Sequence, residues 1–574
     1  MHGLRRSAYE CLFRPAQREA AVVSRDCHGE AVGASPAAST GNAGEDGRWG
    51  ATRPGSGDLA LDAVERRGVD MSAPSQSPAW RRIPENVAGA AVTVARAAGR
   101  AALHPKSTID RARHLPDIMP ALGQAVKPIL TGRMDDWRGE YAYTLGEQAF
   151  VYGFPYIYNA RLRHDWVTQP RNPSTVPYAP VNHFWHAERL LDATYRDGGC
   201  PNNDTLYSAA WVNLGSEPVI LSHPDMGDRY FTFELVGITS DNFDYVGQRT
   251  TGSGAGSFAL VGPQWQGKLP TEVRRLKKAP SPWVLVLGRT LVSGPDDVPR
   301  VRELQEQYRL TPLSLFGTPD AKVPESRDVL TPIPAEEDPL GPWKTLNAML
   351  AENPPPSHHH VLLQQFAQIG IGPGLDVEAQ PDAVKRSLIR AAAVGAPLLK
   401  QQILSGDWAH LVHGWRYPPA QMGRFGDDFL KRAADQSLLG VAANDPAEAV
   451  YLLNFDDADG KKLASEGRYE LRFPSDALPP VDAFWSLTAY GEDMNLIPNP
   501  ADRYAVGDRS TGLQWDADGG LTIHLQSEPP DQGRKANWLP TAKEGTWFVA
   551  LRMYRPRPEV IDATWECPPL TRKY

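Results

Sequence analysis

The sequence predicts an α+β protein in which two related β-rich modules, each a sandwich or an open barrel, are joined by a helical middle segment. Three observations carry this reading. A short motif recurs as VGQRTTG at 246–252 and VGDRSTG at 506–512, identical at five of seven positions with a Thr-for-Ser exchange at a sixth. Both copies are framed by the same succession of alternating, aromatic-rich runs bounded by glycine, the signature of strands leaving turns. Between the copies the apolar spacing changes to that of helices.

Residues 1–114 are rich in Gly, Ala, Ser, Arg and Pro and predict a poorly ordered extension, because such a segment buries too little apolar surface to offset its ordering entropy. Met71 would serve as an alternative start, and Asn86–Leu103 reads as an amphipathic helix touching a membrane surface or as a plain surface helix, the second favoured because alanine and glycine bury little area per turn. Residues 115–295 form the first module. There Phe231, Phe233 and Leu235 alternate with Tyr230, Thr232 and Glu234, "GSFALVG" follows, and a Trp-led strand from Pro282 closes the unit. Residues 296–445 read as helical. Acidic residues open a helix over Asp296–Tyr308, Ser357 is placed to cap another that stops at Gly370, and longer patterns cover Asp382–Leu404 and the stretch from Phe425. Residues 446–574 repeat the β pattern through "AFWSLTAYG", "DGGLTIHLQ" and "TWFVALRMY".

The motifs "FVYGFPYIY", "PNNDTLYSAAW", "YVGQRTTG", "LPPVDAFWSLTAYG", "RYAVGDR", "NWLP" and "FVALRMYRP" are specific when taken together. On them the chain resembles the bacterial family in which two domains of unknown function, numbered 1254 and 1214, sit in tandem. The resemblance runs from about Tyr141 to Trp565 and implies two β domains plus helices. It implies no reaction. Many relatives look exported; this sequence shows no apolar signal core, so a cytoplasmic location is expected.

The 574 residues carry a net charge of -8, too mild to predict nucleic-acid binding, and no apolar run is long enough for a bilayer. Four cysteines form no CxxC pair. Nucleophile-elbow, P-loop and Rossmann motifs are absent, which argues against a standard esterase, nucleotide hydrolase or nicotinamide dehydrogenase. A homo-oligomer is compatible with all of this.

The candidate site starts at PNNDTLYS. Asn202, Asn203 and Asp204 suit a turn, and Tyr207 follows on the strand face shared with Thr205 and Ala209. Asp204 and Tyr207 are the candidate catalytic pair, as proton-transfer residue and hydroxyl donor. Arg249 and Arg509 occupy equivalent places in the repeat; they either brace strands to Asp244 and Asp508 or to carbonyls, or face a shared cleft as anion-binding forks. Tyr490, Asn537, Trp538 and Arg552 complete the expected ligand-binding set. The pairs His183/His186 and His410/His413 and the run His358–His360 lack an evident carboxylate or cysteine partner, so no metal is predicted. Cys200 has no neighbouring histidine and reads as inert.

The first functional expectation is a cofactor-independent enzyme performing hydrolase-like acid–base chemistry on a small organic molecule between the modules. The alternative is a non-catalytic binding protein for an apolar or anionic small ligand, and a third reading is purely structural.

Overall fold

The computed structural model describes residues 136–573 apart from 407 and 439; the expected extension, the helix at 86–103 and the alternative start at Met71 lie outside the described residues. The first module runs through β1 (Trp185–His186), β2 (Thr205–Asn213), β3 (Val219–His223), β4 (Phe231–Gly237), β5 (Asn242–Gly247), β6 (Gly256–Val261), β7 (Arg274–Lys278), β8 (Trp283–Leu291) and β9 (Arg309–Pro312). One sheet has the order β1-β2-β8-β4-β5 and the other β7-β6-β3-β9. Their facing sides interdigitate: Phe233, Val246 and Val286 from the first meet Leu221, Phe258 and Leu310 from the second. Period-two alternation makes this possible, since each strand presents one apolar face to the sandwich.

The second module contains β10 (His410–Val412), β11 (Trp415–Tyr417), β12 (Ala449–Asn454), β13 (Tyr469–Phe473), β14 (Val481–Gly491), β15 (Ala505–Gly507), β16 (Leu521–Gln526), β17 (Trp538–Pro540), β18 (Trp547–Pro556) and β19 (Thr571–Arg572). Its sheets are ordered β10-β11-β12-β18-β14-β15 and β17-β16-β13-β19. Leu452, Leu487 and Leu551 pack there against Leu471, Phe473 and Ile523. The strands β2 to β9 therefore correspond in order to β12 to β19, with the same neighbours in both sheets. Even the parallel pair recurs, β6 with β7 and β16 with β17. The motif repeat is the trace of a repeated fold. Both modules are open sheets packed as sandwiches, not closed barrels.

The helices are α1 (Trp137–Thr168), α2 (Val298–Gln305), α3 (Gly341–Glu352), α4 (His360–Ala367), α5 (Asp382–Leu404), α6 (Phe429–Leu438) and α7 (Pro558–Ile561). Phe150 and Phe154 of α1, Trp343 and Leu346 of α3, and Leu388 and Leu399 of α5 share one core with Trp211, Leu285 and Leu287 on the outer face of the five-stranded sheet. The helical layer thus draws its longest member from ahead of the first module's strands. Three details differ from the sequence reading. Arg309–Pro312, within the segment expected to be helical, forms β9 of the first module. Ser357 lies inside a short 3-10 turn, Ser357–His359, and makes no side-chain cap. Residues 410–417, within the segment expected to be helical, form the β10–β11 edge of the second module.

Candidate functional site

The two modules meet through the outer faces of their larger sheets, and PNND is the hinge of that meeting. Asn202 Oδ1 accepts from the backbone N–H of Asp204 at 2.6 Å and of Thr205 at 3.2 Å, closing the turn that starts β2. Its Nδ2 donates to Tyr554 Oη at 2.6 Å, across the module boundary. Asn203 Nδ2 donates to the Leu191 carbonyl. The carbonyls of Pro201 and Cys200 accept from Tyr490 Oη at 2.8 Å and Arg552 Nη2 at 2.9 Å. Cys200 adopts a φ of 51°, and burial pushes its thiol up to about 11, which fits an unreactive residue.

Asp204 is buried, and both carboxylate oxygens are engaged: Oδ2 accepts from Ser486 Oγ at 2.6 Å and Oδ1 from Arg509 Nη2 at 2.8 Å. Arg509 also donates to the Val292 carbonyl and lies over the Phe484 ring. The equivalent Arg249 pairs with Glu448 Oε2 at 2.6 Å, and Tyr230 Oη donates to Glu448 Oε1 at 2.8 Å. Asp204 immediately precedes β2, and Glu448 immediately precedes β12. Each module's repeated arginine therefore grips the acid that opens a matching strand of the other module, β2 or β12. Such reciprocity is the pattern of an isologous interface, here inside one chain.

The pairing continues inward. Tyr207 lies opposite Arg289 in β8, and Tyr451 opposite Arg552 in β18; each guanidinium sits over its tyrosine ring, at 5.3 and 5.6 Å. Arg289 also donates to the buried Glu234 at 2.6 Å. The structure thus brings together Asn202, Asp204, Tyr490, Arg509 and Arg552, and puts Tyr207 and Arg249 in the same inter-module layer. Asn537 and Trp538 go elsewhere. Asn537 ties the Gln514 and Thr522 backbones, and Trp538 donates to Gln526 O within the smaller sheet of the second module. Of the alternatives for the repeated arginines, the cross-module acids Asp204 and Glu448 are the principal partners; Asp244 instead accepts from the Lys277 backbone.

A second constellation was not expected. A pocket of about 360 Å³ opens where the β4–β5 turn of the first module meets the helical layer, lined by Tyr156, Asp241, Asn242, His358, His359, Arg424, Asp427 and Arg432 among others. Asp241 accepts from Arg432 Nη1 at 2.9 Å and from the Phe425 N–H at 2.7 Å. Asp445 accepts from Arg424 Nε at 2.5 Å and from Asn242 Nδ2 at 3.0 Å. Arg432 is 3% exposed, yet its Nε and Nη2 meet no hydrogen-bond partner, and neither does Asn242 Oδ1. At the rim His358 Nε2 and His359 Nε2 lie 3.2 and 2.9 Å from Asp427 Oδ1, and these bonds hold that carboxyl below its usual range. Burial raises the neighbouring Tyr156 hydroxyl to about 12. A larger and more open depression of about 480 Å³ on the second module, between Ser475 and Trp565, gathers no comparable group of functional side chains.

The paired histidines of the sequence lie apart from this cluster, and His183 Nδ1 is 2.9 Å from the Val181 carbonyl oxygen. His186 Nδ1 bonds Ser208 Oγ at 2.8 Å, and His410 and His413 lie on or beside the β10 strand.

Residues 181–312 match DUF1254 and residues 448–558 match DUF1214, both described as proteins of unknown function. The chain carries these two domains in tandem. The first match spans β1 to β9 and the second β12 to β18, so His358, His359, Arg424, Asp427 and Arg432 lie outside both. The crystal structure of the VPA0106 protein from Vibrio parahaemolyticus is similar with a TM-score of 0.58 at 23% identity, over 75% of this chain and 100% of that one; the two share a fold. An uncharacterised protein from Burkholderia cenocepacia aligns with a TM-score of 0.37 at 16% identity, over 78% of this chain and 98% of that one. No curated protein matches. Among the described residues, no helix is long and apolar enough to cross a membrane.

Proposed function

We propose that this tandem-domain protein binds a small oxyanion-bearing organic molecule in the pocket between the first module and the helical layer. The observation that carries the reading is Arg432: a buried guanidinium on the pocket wall with two nitrogens unmatched. A buried donor without a partner is costly, by about 1–3 kcal/mol, and a carboxylate or phosphoryl oxygen would satisfy it. Arg424, 40% exposed at the same wall, supplies a second cation. The pocket's volume lies at the small end of the range for organic ligands, about 300–1,000 Å³. Oxalate, succinate and inorganic phosphate serve as probes. One or more should raise the melting temperature of the wild type, and the shift should shrink in both Arg432→Met and Arg424→Met. A wild type unmoved by all three would overturn the reading.

The acid–base reading at Asp204 stands second. It is favoured by two unmatched buried atoms in the inter-module layer, Arg552 Nη1 and Thr488 Oγ1, which leave hydrogen-bonding capacity for a small molecule beside Tyr490. The test is whether Asp204→Asn abolishes a turnover measured in the wild type on a hydrolase panel while the variant remains folded.

A further inference from the structure

The pocket rim holds a set of groups that the oxyanion reading leaves unused. His358, His359 and Asp427 each present a ligand atom, and these three atoms lie within 4.8 Å of one another. Sequence spacing hides the set, because Asp427 stands 68 residues beyond His359. Three prolines, Pro354 to Pro356, lead into the 3-10 turn Ser357–His359, which directs two consecutive imidazoles to one carboxylate. Asp427 is delivered from the other side by the turn at Gly426, whose φ is 57°.

We propose that His358, His359 and Asp427 bind a divalent first-row transition metal ion, with its open coordination positions facing the pocket. Four features carry this. Two neutral imidazole nitrogens and one carboxylate oxygen form a donor set used by catalytic zinc and by non-haem iron sites. Two of the three separations fit: metal–ligand bonds of about 2.0–2.1 Å put tetrahedral ligands about 3.3 Å apart, close to the 3.2 and 2.9 Å from His358 Nε2 and His359 Nε2 to Asp427 Oδ1, and the two imidazoles lie within 4.8 Å of each other. The His359 ring is held in place, by Tyr152 Oη at 3.1 Å from Nδ1 and by edge contacts with Tyr152 and Phe429. A hydrogen bond to the far ring nitrogen is the usual way a ligating histidine is oriented. Finally, the charges are uneven. Arg432 answers Asp241 and Arg424 answers Asp445, whereas Asp427 has no lysine or arginine partner among the described residues. A cation at the three ligands would balance it and strengthen the pull on an oxyanion nearby.

This inference concerns the same pocket but requires no organic ligand, so the two readings fail separately. The full chain, stripped of metal with a chelator, is titrated with Co2+ and then displaced with Zn2+. The expected result is one equivalent of Co2+ with a visible spectrum, intense if the ion is four-coordinate and weak if six-coordinate, either of which supports the site. Asp427→Asn and His358→Ala should each weaken binding at least tenfold. Both positions are mostly exposed, 63% and 61%, so these variants should fold, which circular dichroism verifies. His360→Ala, exposed and outside the cluster, should leave binding unchanged. The proposal is overturned if the wild type binds neither ion. It is also overturned if Asp427→Asn binds as the wild type does while His360→Ala does not, which would identify an adventitious histidine run.

Discussion

Replacing Arg509 by alanine removes one arm of the reciprocal grip between the modules and leaves Asp204 charged in a nearly closed site. The carboxylate is 5% exposed and would retain only Ser486 Oγ at 2.6 Å. Breaking a buried pair from one side costs about 3–5 kcal/mol, because the surviving charge keeps its desolvation penalty. Arg509 is 24% exposed, so water can partly replace it, and the expected loss falls below that range, at about 2–3 kcal/mol. Adding Asp204→Asn to Arg509→Ala should recover part of the loss, since no charge is then stranded. A double-mutant cycle read by urea unfolding should give a coupling of about 1–3 kcal/mol. Calorimetry should show the modules melting separately once the grip is cut, because two cores joined by a weakened interface need not unfold together. Arg249→Ala, which strands Glu448, should behave in the same way. The reasoning is refuted if Arg509→Ala changes stability by less than about 0.5 kcal/mol, the range of an ordinary surface substitution.

Asp435 in α6 is buried, its Oδ1 meets no partner, and burial raises its carboxyl to about 7. The unfolded chain therefore releases this proton from about pH 4 upward while the folded chain keeps it until about pH 7, so stability falls across that window and levels off above it. A shift of about three units corresponds to roughly 4 kcal/mol as an upper bound. Asp435→Asn should match the wild type near pH 4 and exceed it near pH 8 in urea denaturation; equal stabilities at pH 8 would contradict the assignment. At Gly507 an added Cβ would lie 2.2 Å from the Trp485 carbonyl oxygen in the adjacent strand. Gly507→Ala should cost about 1–3 kcal/mol by overpacking, measured as a lower urea midpoint, because the clash is with backbone of β14 and relief requires parting β15 from it.

The sheets were legible because alternation is local: Phe231 to Leu235 and Phe484 to Tyr490 declare their faces within a few residues. The repeat at Arg249 and Arg509 was legible as well, but their partners were not. Glu448 and Asp204 stand 199 and 305 residues away, and only the packing of one module against the other makes them neighbours. PNNDTLYS announced polar chemistry without saying whose, since an asparagine that closes a turn and one that reaches Tyr554 look the same in sequence. The pocket was the least visible. His358 and His359 could be seen, but Asp427 and Arg432 are helix-boundary and helix residues whose spacing predicts only a solvated face and a core face. Trp538 was ambiguous for a related reason: a large aromatic in a short segment suits a pocket lid or a plug in the core, and here its ring is buried and its indole nitrogen donates to Gln526 O.

Because the two matched halves are parts of one polypeptide, their union does not depend on protein concentration. A two-subunit assembly with the same contacts would come apart on dilution; this one keeps its partner at a fixed, high local concentration. Single-chain construction also frees the halves to differ. Glu448 can stand where its counterpart is Asp204, and a pocket can form where the β4–β5 turn of the first module meets the helical layer. Among the described residues one His–His–Asp cluster accompanies the doubled fold, so titration of the wild type with Co2+ should saturate at one equivalent, not two.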